Sequence, residues 1–167
     1  MLNSIRLKTA TIVGACAAFA SPAYAGTQAT TIGVSATVTA NCSVSALPVA
    51  FGSVDTLSAS PVDATGSVSV TCTSGTGWTA AADVGGGTGA TFASRRMTSS
   101  GNVLNYTLYR DSGRTQVWGD GSGTTYTVGN TGSGAGQTFT VYGRVPGGQS
   151  SAPAGGYNDT VNVTITY

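Results

Sequence analysis

The sequence predicts an all-β fold of the sandwich type, and three observations predict it. Apolar and polar residues alternate with a period of two over residues 32–40, 66–72, 103–109, 137–145 and 159–167, with weaker strand candidates at 44–51, 78–84 and 124–128. Turn signals separate these runs: Gly85-Gly86-Gly87, Asp111-Ser112-Gly113, Gly119-Asp120-Gly121 and Gly132-Ser133-Gly134. The composition is rich in Gly, Thr, Ser and Val, with neither Lys nor Glu beyond residue 25, which suits short strands and tight turns and does not suit helices. Many short strands at this spacing form a sandwich.

In chain order, residues 1–25 read as an export signal. Arg6 and Lys8 give a positive start, residues 10–20 an apolar stretch, and Ala23-Tyr24-Ala25 a small-residue cleavage site. The apolar stretch contains Gly14 and stops at Ser21-Pro22, short of the roughly 20 residues a bilayer span needs. Val13-Gly14-Ala15-Cys16 loosely matches a lipidation box, but the apolar run continues through Phe19 to the cleavage site, so Cys16 reads as part of the signal. Its removal leaves Cys42 and Cys72 as an even pair in an oxidising compartment, where a disulfide is expected. Closing a loop of about thirty residues stabilises the fold by roughly 3–4 kcal/mol in the chain-entropy picture.

The exported part has length for one domain. Its first segment, 26–40, carries clean alternation: Ile32, Val34, Ala36, Val38 and Ala40 share one face, and Thr31, Gly33, Ser35, Thr37 and Thr39 the other. This is a strand with one apolar face, yet Ala40-Asn41-Cys42 offers no hairpin turn to fold it back onto the strand that starts at Cys42. The pattern leaves two readings open, a strand of its own sheet or a strand that leaves its own domain. At the other end Val161, Val163, Ile165 and Tyr167 alternate with Thr160, Asn162, Thr164 and Thr166, a half-buried strand.

Several motifs in order carry a family resemblance: Cys42-Ser43-Val44, Val70-Thr71-Cys72-Thr73, Arg95-Arg96-Met97, Leu104-Asn105-Tyr106-Thr107-Leu108-Tyr109-Arg110-Asp111, Val117-Trp118-Gly119-Asp120-Gly121, Thr140-Val141-Tyr142-Gly143-Arg144-Val145, and Gly156-Tyr157-Asn158-Asp159-Thr160-Val161 with the residues that follow. Over residues 41–167 the chain resembles the spore coat protein U domain family, which includes the archaic, Csu-type subunits of chaperone-usher pili. The resemblance implies an incomplete immunoglobulin-like β-sandwich that lacks a strand and is completed by donor-strand exchange. It implies a periplasmic chaperone that fills the groove first, and an outer-membrane usher that exchanges it for the N-terminal extension of the next identical or related subunit, head to tail. Carried onto this chain, the donor strand is Ile32, Val34, Ala36, Val38 and Ala40, and the wall of the acceptor groove, where a chaperone would pair, is Val161, Val163, Ile165 and Tyr167. The implied function is a structural pilin of surface fimbriae serving adhesion and biofilm formation. A tip adhesin would add a receptor-binding domain, so a main rod subunit is favoured over the tip, with a minor adaptor subunit left open. The rival is a secreted coat or binding protein that completes itself and does not polymerise.

Catalysis is not expected. Histidine is absent from the sequence, which removes Ser-His-Asp and Cys-His chemistry and the commonest zinc ligand. Lysine is absent beyond residue 25, which removes phosphate-loop and Schiff-base lysines. Asp111 and Asp120 supply the two carboxylates a glycosidase needs, but both sit in turn sequences where aspartate is ordinary. Gly119-Asp120-Gly121-Ser122-Gly123 lacks the oxygen series of a calcium loop, so neither a metal nor any other cofactor is expected. Trp78 and Trp118 read as core, and Arg95 with Arg96 as a solvated pair beside a turn. Charge is near balance, Arg95, Arg96, Arg110, Arg114 and Arg144 against Asp55, Asp63, Asp83, Asp111, Asp120 and Asp159, so there is no footprint for nucleic acid.

Overall fold

A computed structural model describes residues 23–167; most of the expected export signal, with Cys16, lies outside the described residues. The chain divides into two units, Met1–Ala36 and Thr37–Tyr167. The described part of the first is an exposed segment without secondary structure. The second holds eight strands and no helix: β1 (Cys42–Leu47), β2 (Val62–Cys72), β3 (Gly77–Ala82), β4 (Arg95–Ser99), β5 (Asn102–Tyr109), β6 (Val128–Thr131), β7 (Gln137–Val145) and β8 (Val163–Thr166).

All strand pairs are antiparallel and form two sheets, one of five strands in the order β1-β2-β7-β5-β4 and one of three in the order β6-β3-β8. Their facing sides carry the alternating apolar residues: Val68, Val70 and Cys72 on β2, Leu104, Tyr106 and Leu108 on β5, and Val141 and Val145 on β7 meet Trp78, Ala80 and Ala82 on β3. Both tryptophans are core, as their sequence context suggested. Trp78 donates to Gln137 Oε1 (3.0 Å) and Trp118 to the carbonyl of Ala80 (3.2 Å), and both rings pack on Phe139.

Where the strands differ from expectation, the cause is local. β7 spans the expected 137–145. β1 stops at Leu47 because Pro48 has no N–H for a ladder. The C-terminal alternation extends over 159–167, but β8 is confined to Val163–Thr166. Before it the chain crosses from one sheet to the other: Asn158 bridges Thr98 on β4, and four residues later the Asn162 carbonyl accepts from Asp83 N after β3. Residues 31–40 keep their alternation yet form no strand, in line with the small stability of an unpaired strand in water.

The reading of Arg95 as a solvated residue is corrected. Arg95 is 0 % exposed, begins the unforeseen strand β4, and faces the core from the register position opposite Tyr106. Its guanidinium donates to the carbonyls of Asp83 (3.0 and 2.8 Å), Trp118 (2.8 Å) and Phe92 (3.3 Å), so the groups it meets are backbone acceptors. Arg96, on the opposite face, is half-buried and donates to the Thr88 carbonyl (2.6 Å).

Two inward-facing glycines make room for the chain after β1. A Cβ on Gly143 would lie 2.6 Å from Val49 Cγ1 and 2.8 Å from Phe51 Cζ, and one on Gly66 would lie 2.7 Å from the Leu47 carbonyl oxygen. Gly143→Ala will therefore push Val49 and Phe51 off β7 and destabilise the domain by about 1–3 kcal/mol, the usual range for overpacking. Equilibrium urea unfolding checks this, the expected result being a lower midpoint at unchanged slope.

Candidate strand-acceptor cleft

The two sheets do not close on each other along one side. There β8 ends the three-stranded sheet and β1 ends the five-stranded one, each with a neighbour on one side alone. Between these edges lies an open cleft of about 1130 Å³. Its floor is the inner face of the large sheet, Val68, Leu104, Tyr106, Leu108 and Val141, with Met97 and Trp118. One wall is formed by Val161 and Val163, and the other by residues 46–57, in which Val49, Phe51 and Val54 pack against the core while Leu47 and Leu57 stay 69 % and 79 % exposed at the mouth.

Each wall has a definite attachment. On the β8 side, Asp159 accepts from Tyr106 Oη (2.6 Å), Gly86 N (2.8 Å) and Thr160 N (2.8 Å). Burial, together with this bond to Asp159, pushes the Tyr106 phenol far above its ordinary range, so it remains a donor. Asp83 accepts from Asn162 N (3.0 Å), Asn162 Nδ2 (2.6 Å) and Gly85 N (2.9 Å). Burial works to raise the Asp83 carboxyl, but these bonds and the nearby Arg95 outweigh it, and the group titrates below the usual carboxylate range. On the other side, the disulfide between Cys42 and Cys72 joins the first residue of β1 to the last of β2, which are register partners. Asn41 is tied to the same strand end: Thr73 N donates to its carbonyl (2.9 Å), and its own N–H donates to Thr73 Oγ1 (3.1 Å).

Cys42 and Cys72 are thus bonded as expected from the cysteine count. Val161 and Val163 line the cleft; Ile165 packs on the core beyond it, and Tyr167 is 56 % exposed. Ile32, Val34 and Val38 are 85 %, 92 % and 82 % exposed, and Ala36 and Ala40 are exposed as well. What the sequence reading missed is the contribution of residues 48–57. A signal existed, since Gly66 and Gly143 stand where strands normally carry side chains, and Val49 and Phe51 occupy that space.

The other candidates have structural roles. Asp111 accepts from Thr115 N, Thr115 Oγ1 and Gln116 N, and Asp120 from Ser122 N, Ser122 Oγ and Thr125 Oγ1, so each organises its own turn. Among the described residues no cluster of three or more His, Cys, Asp or Glu is placed to hold a metal ion. At the surface Asp63 pairs with Arg144 (2.7 Å) and Arg114 (3.2 Å), and the hydrogen bond from Arg144 leads the effects that hold its carboxyl below the usual range.

Comparison with solved structures finds this fold in the crystal structure of the CsuC–CsuE chaperone–tip adhesion subunit pre-assembly complex from archaic chaperone-usher Csu pili of Acinetobacter baumannii. The TM-score is 0.57 at 22% identity over 78% of this chain, which spans 40% of the matched one. Among curated proteins, the chain is 38% identical to Protein U of Myxococcus xanthus over 184 residues, 99% of this chain and 100% of that protein. The family model of the Spore Coat Protein U domain matches residues 28–164. With that match across most of its length, the chain belongs to the Spore Coat Protein U domain family.

Proposed function

We propose that this chain is a structural pilin that polymerises head to tail by donor-strand complementation, residues 26–40 of one copy completing the sandwich of the next. The observation that carries the reading is the pairing of two complementary features in one sequence. One is an apolar cleft bordered by the free edge of β8; the other is an exposed segment whose alternate residues Ile32, Val34, Ala36, Val38 and Ala40 are apolar. A strand added to a sheet edge gains backbone hydrogen bonds, while alternate side chains, about 6.6 Å apart, fill pockets. Because donor and acceptor are different surfaces, the contact is heterologous and the polymer grows without closing.

On this reading residues 1–25 direct export, and a periplasmic chaperone covers the cleft by pairing with β8 until an outer-membrane usher replaces it with the next subunit. The product is a surface fimbria serving adhesion and biofilm formation, and the chain carries no catalytic function. The fold shared with the Csu complex supports this, since that complex is one of a chaperone with a pilus subunit.

The test uses the exported chain without residues 27–40 and a synthetic peptide of residues 28–40. The peptide is expected to bind one to one and raise the thermal midpoint of the truncated chain, as any ligand selective for the native state does. A Val34→Asp, Val38→Asp peptide is expected to do neither, because two carboxylates would enter an apolar cleft. Absence of stabilisation by the parent peptide would overturn the reading. A full-length chain that stays monomeric with Ile32 and Val34 protected from exchange would instead favour a self-completed coat protein.

A further inference from the structure

The segment proposed as donor and the wall of the acceptor cleft are neighbours in sequence. The chain runs from Ala40 through Asn41 into β1 and then directly into residues 48–57, which border the cleft. β1 is an edge strand held to β2 by one ladder that starts at Cys42 opposite Cys72. Tension on residues 26–40 would therefore enter at the outer end of that ladder. With hydrogen bonds alone to resist it, β1 would open pair by pair from Cys42 and draw residues 48–57 off the cleft. A subunit pulled by its donor segment would then lose its grip on whatever filled its own cleft.

We infer that the Cys42–Cys72 disulfide, assisted by the Asn41–Thr73 hydrogen bonds, is a mechanical joint that isolates the acceptor cleft from load on the same subunit's N-terminal segment. The bond lies at the point where that segment meets the domain. It carries force covalently from Cys42 to Cys72, the end of β2, and β2 is an interior strand paired with β1 over six register positions and with β7 over nine. Residues 43–71 are then closed in a loop that the force bypasses, and the cleft wall of residues 48–57 lies inside that loop. Asn41 adds a noncovalent brace at the same strand end, its N–H donating to Thr73 Oγ1 and its carbonyl accepting from Thr73 N. The device serves the donor-strand reading above and rests on it for its purpose, but its mechanics can be read independently.

Single-molecule pulling of the full exported chain tests the joint, with click handles at Thr27 and at Ser150 in the loop after β7 and a fluorescent peptide of residues 28–40 in the cleft. The oxidised chain is expected to hold its length and its peptide up to global unfolding. After reduction of the folded protein with a phosphine, or in the Cys42→Ala, Cys72→Ala chain, an earlier step of roughly 50 Å is expected as residues 42–57 extend at about 3.3–3.6 Å each, with the peptide lost at that step. Moving the first handle to Ser45, inside the loop, is expected to produce an early step even in the oxidised chain, which keeps the test decisive if the cysteine variant does not fold. Identical traces from the Thr27 and Ser45 handles, or identical traces before and after reduction, would overturn the inference. Failure of the peptide to bind at zero force would instead count against the donor reading, while the length steps still report on the joint.

Discussion

Deleting residues 27–40 will abolish polymer formation and leave the folded domain intact. None of these residues is buried, and the unit that holds all eight strands begins at Thr37, so the deletion removes little that stabilises the domain. What it removes is the proposed link. Burying Ile32, Val34 and Val38 with two alanines contributes about 6 kcal/mol, which alone corresponds to about four decades in the association constant. Backbone hydrogen bonds along β8 add about 1 kcal/mol each. Val34→Ser alone will weaken the link about tenfold or more, since it exchanges a buried isopropyl for a hydroxyl without a partner. Unheated gel electrophoresis and electron microscopy of cells bearing each variant check this: ladders and fibres from the parent, a chaperone-bound monomer from the deletion, shorter polymers from Val34→Ser. Ordinary fibres assembled from the truncated chain would show that the link lies elsewhere.

The parts of this architecture legible in the sequence are those fixed by neighbours along the chain. β7 could be read to its ends because Phe139, Val141, Gly143 and Val145 alternate with Thr138, Thr140, Tyr142 and Arg144 over nine residues. The disulfide followed from a count of two cysteines beyond the export signal. The cleft was legible as an implied missing strand but not in its walls, because β8 is shortened by contacts of Asp159 and Asn162 with residues more than fifty positions away. Residues 48–57 lie on the core without ladder periodicity, held by the space left at Gly66 and Gly143, and that complementarity appears when β2 and β7 are already placed. β4 was missed for a related reason. An arginine is read as solvated unless its acceptors are known, and those of Arg95 come from two separate connections, β3–β4 (Asp83 and Phe92) and β5–β6 (Trp118).

Arg95→Ala will cost about 3–5 kcal/mol, because it orphans several buried carbonyls at about 1–3 kcal/mol each. Arg95 is wholly buried, and desolvation pulls its pKa down against the support of the Asp83 and Asp159 carboxylates. Its fork is the donor for the Asp83 and Trp118 carbonyls, which truncation would leave in a dry cavity. Arg95→Lys keeps the charge but replaces the planar fork by a point donor, and about 1–3 kcal/mol is the expected loss. Arg96→Ala, beside it on the outer face, removes one bond to the Thr88 carbonyl and will cost about 1 kcal/mol. Urea unfolding of the three variants gives the ranking, and a loss below about 1 kcal/mol for Arg95→Ala would contradict it, a domain's total being about 5–15 kcal/mol. The effect reaches the cleft as well. Asp83, whose carbonyl Arg95 holds, uses its carboxylate to fix Asn162 at the entry to β8. An Arg95→Lys chain that still folds will therefore bind the peptide of residues 28–40 more weakly, with Arg96→Ala unchanged, because the loosened residue lies behind the wall to which the incoming strand must pair.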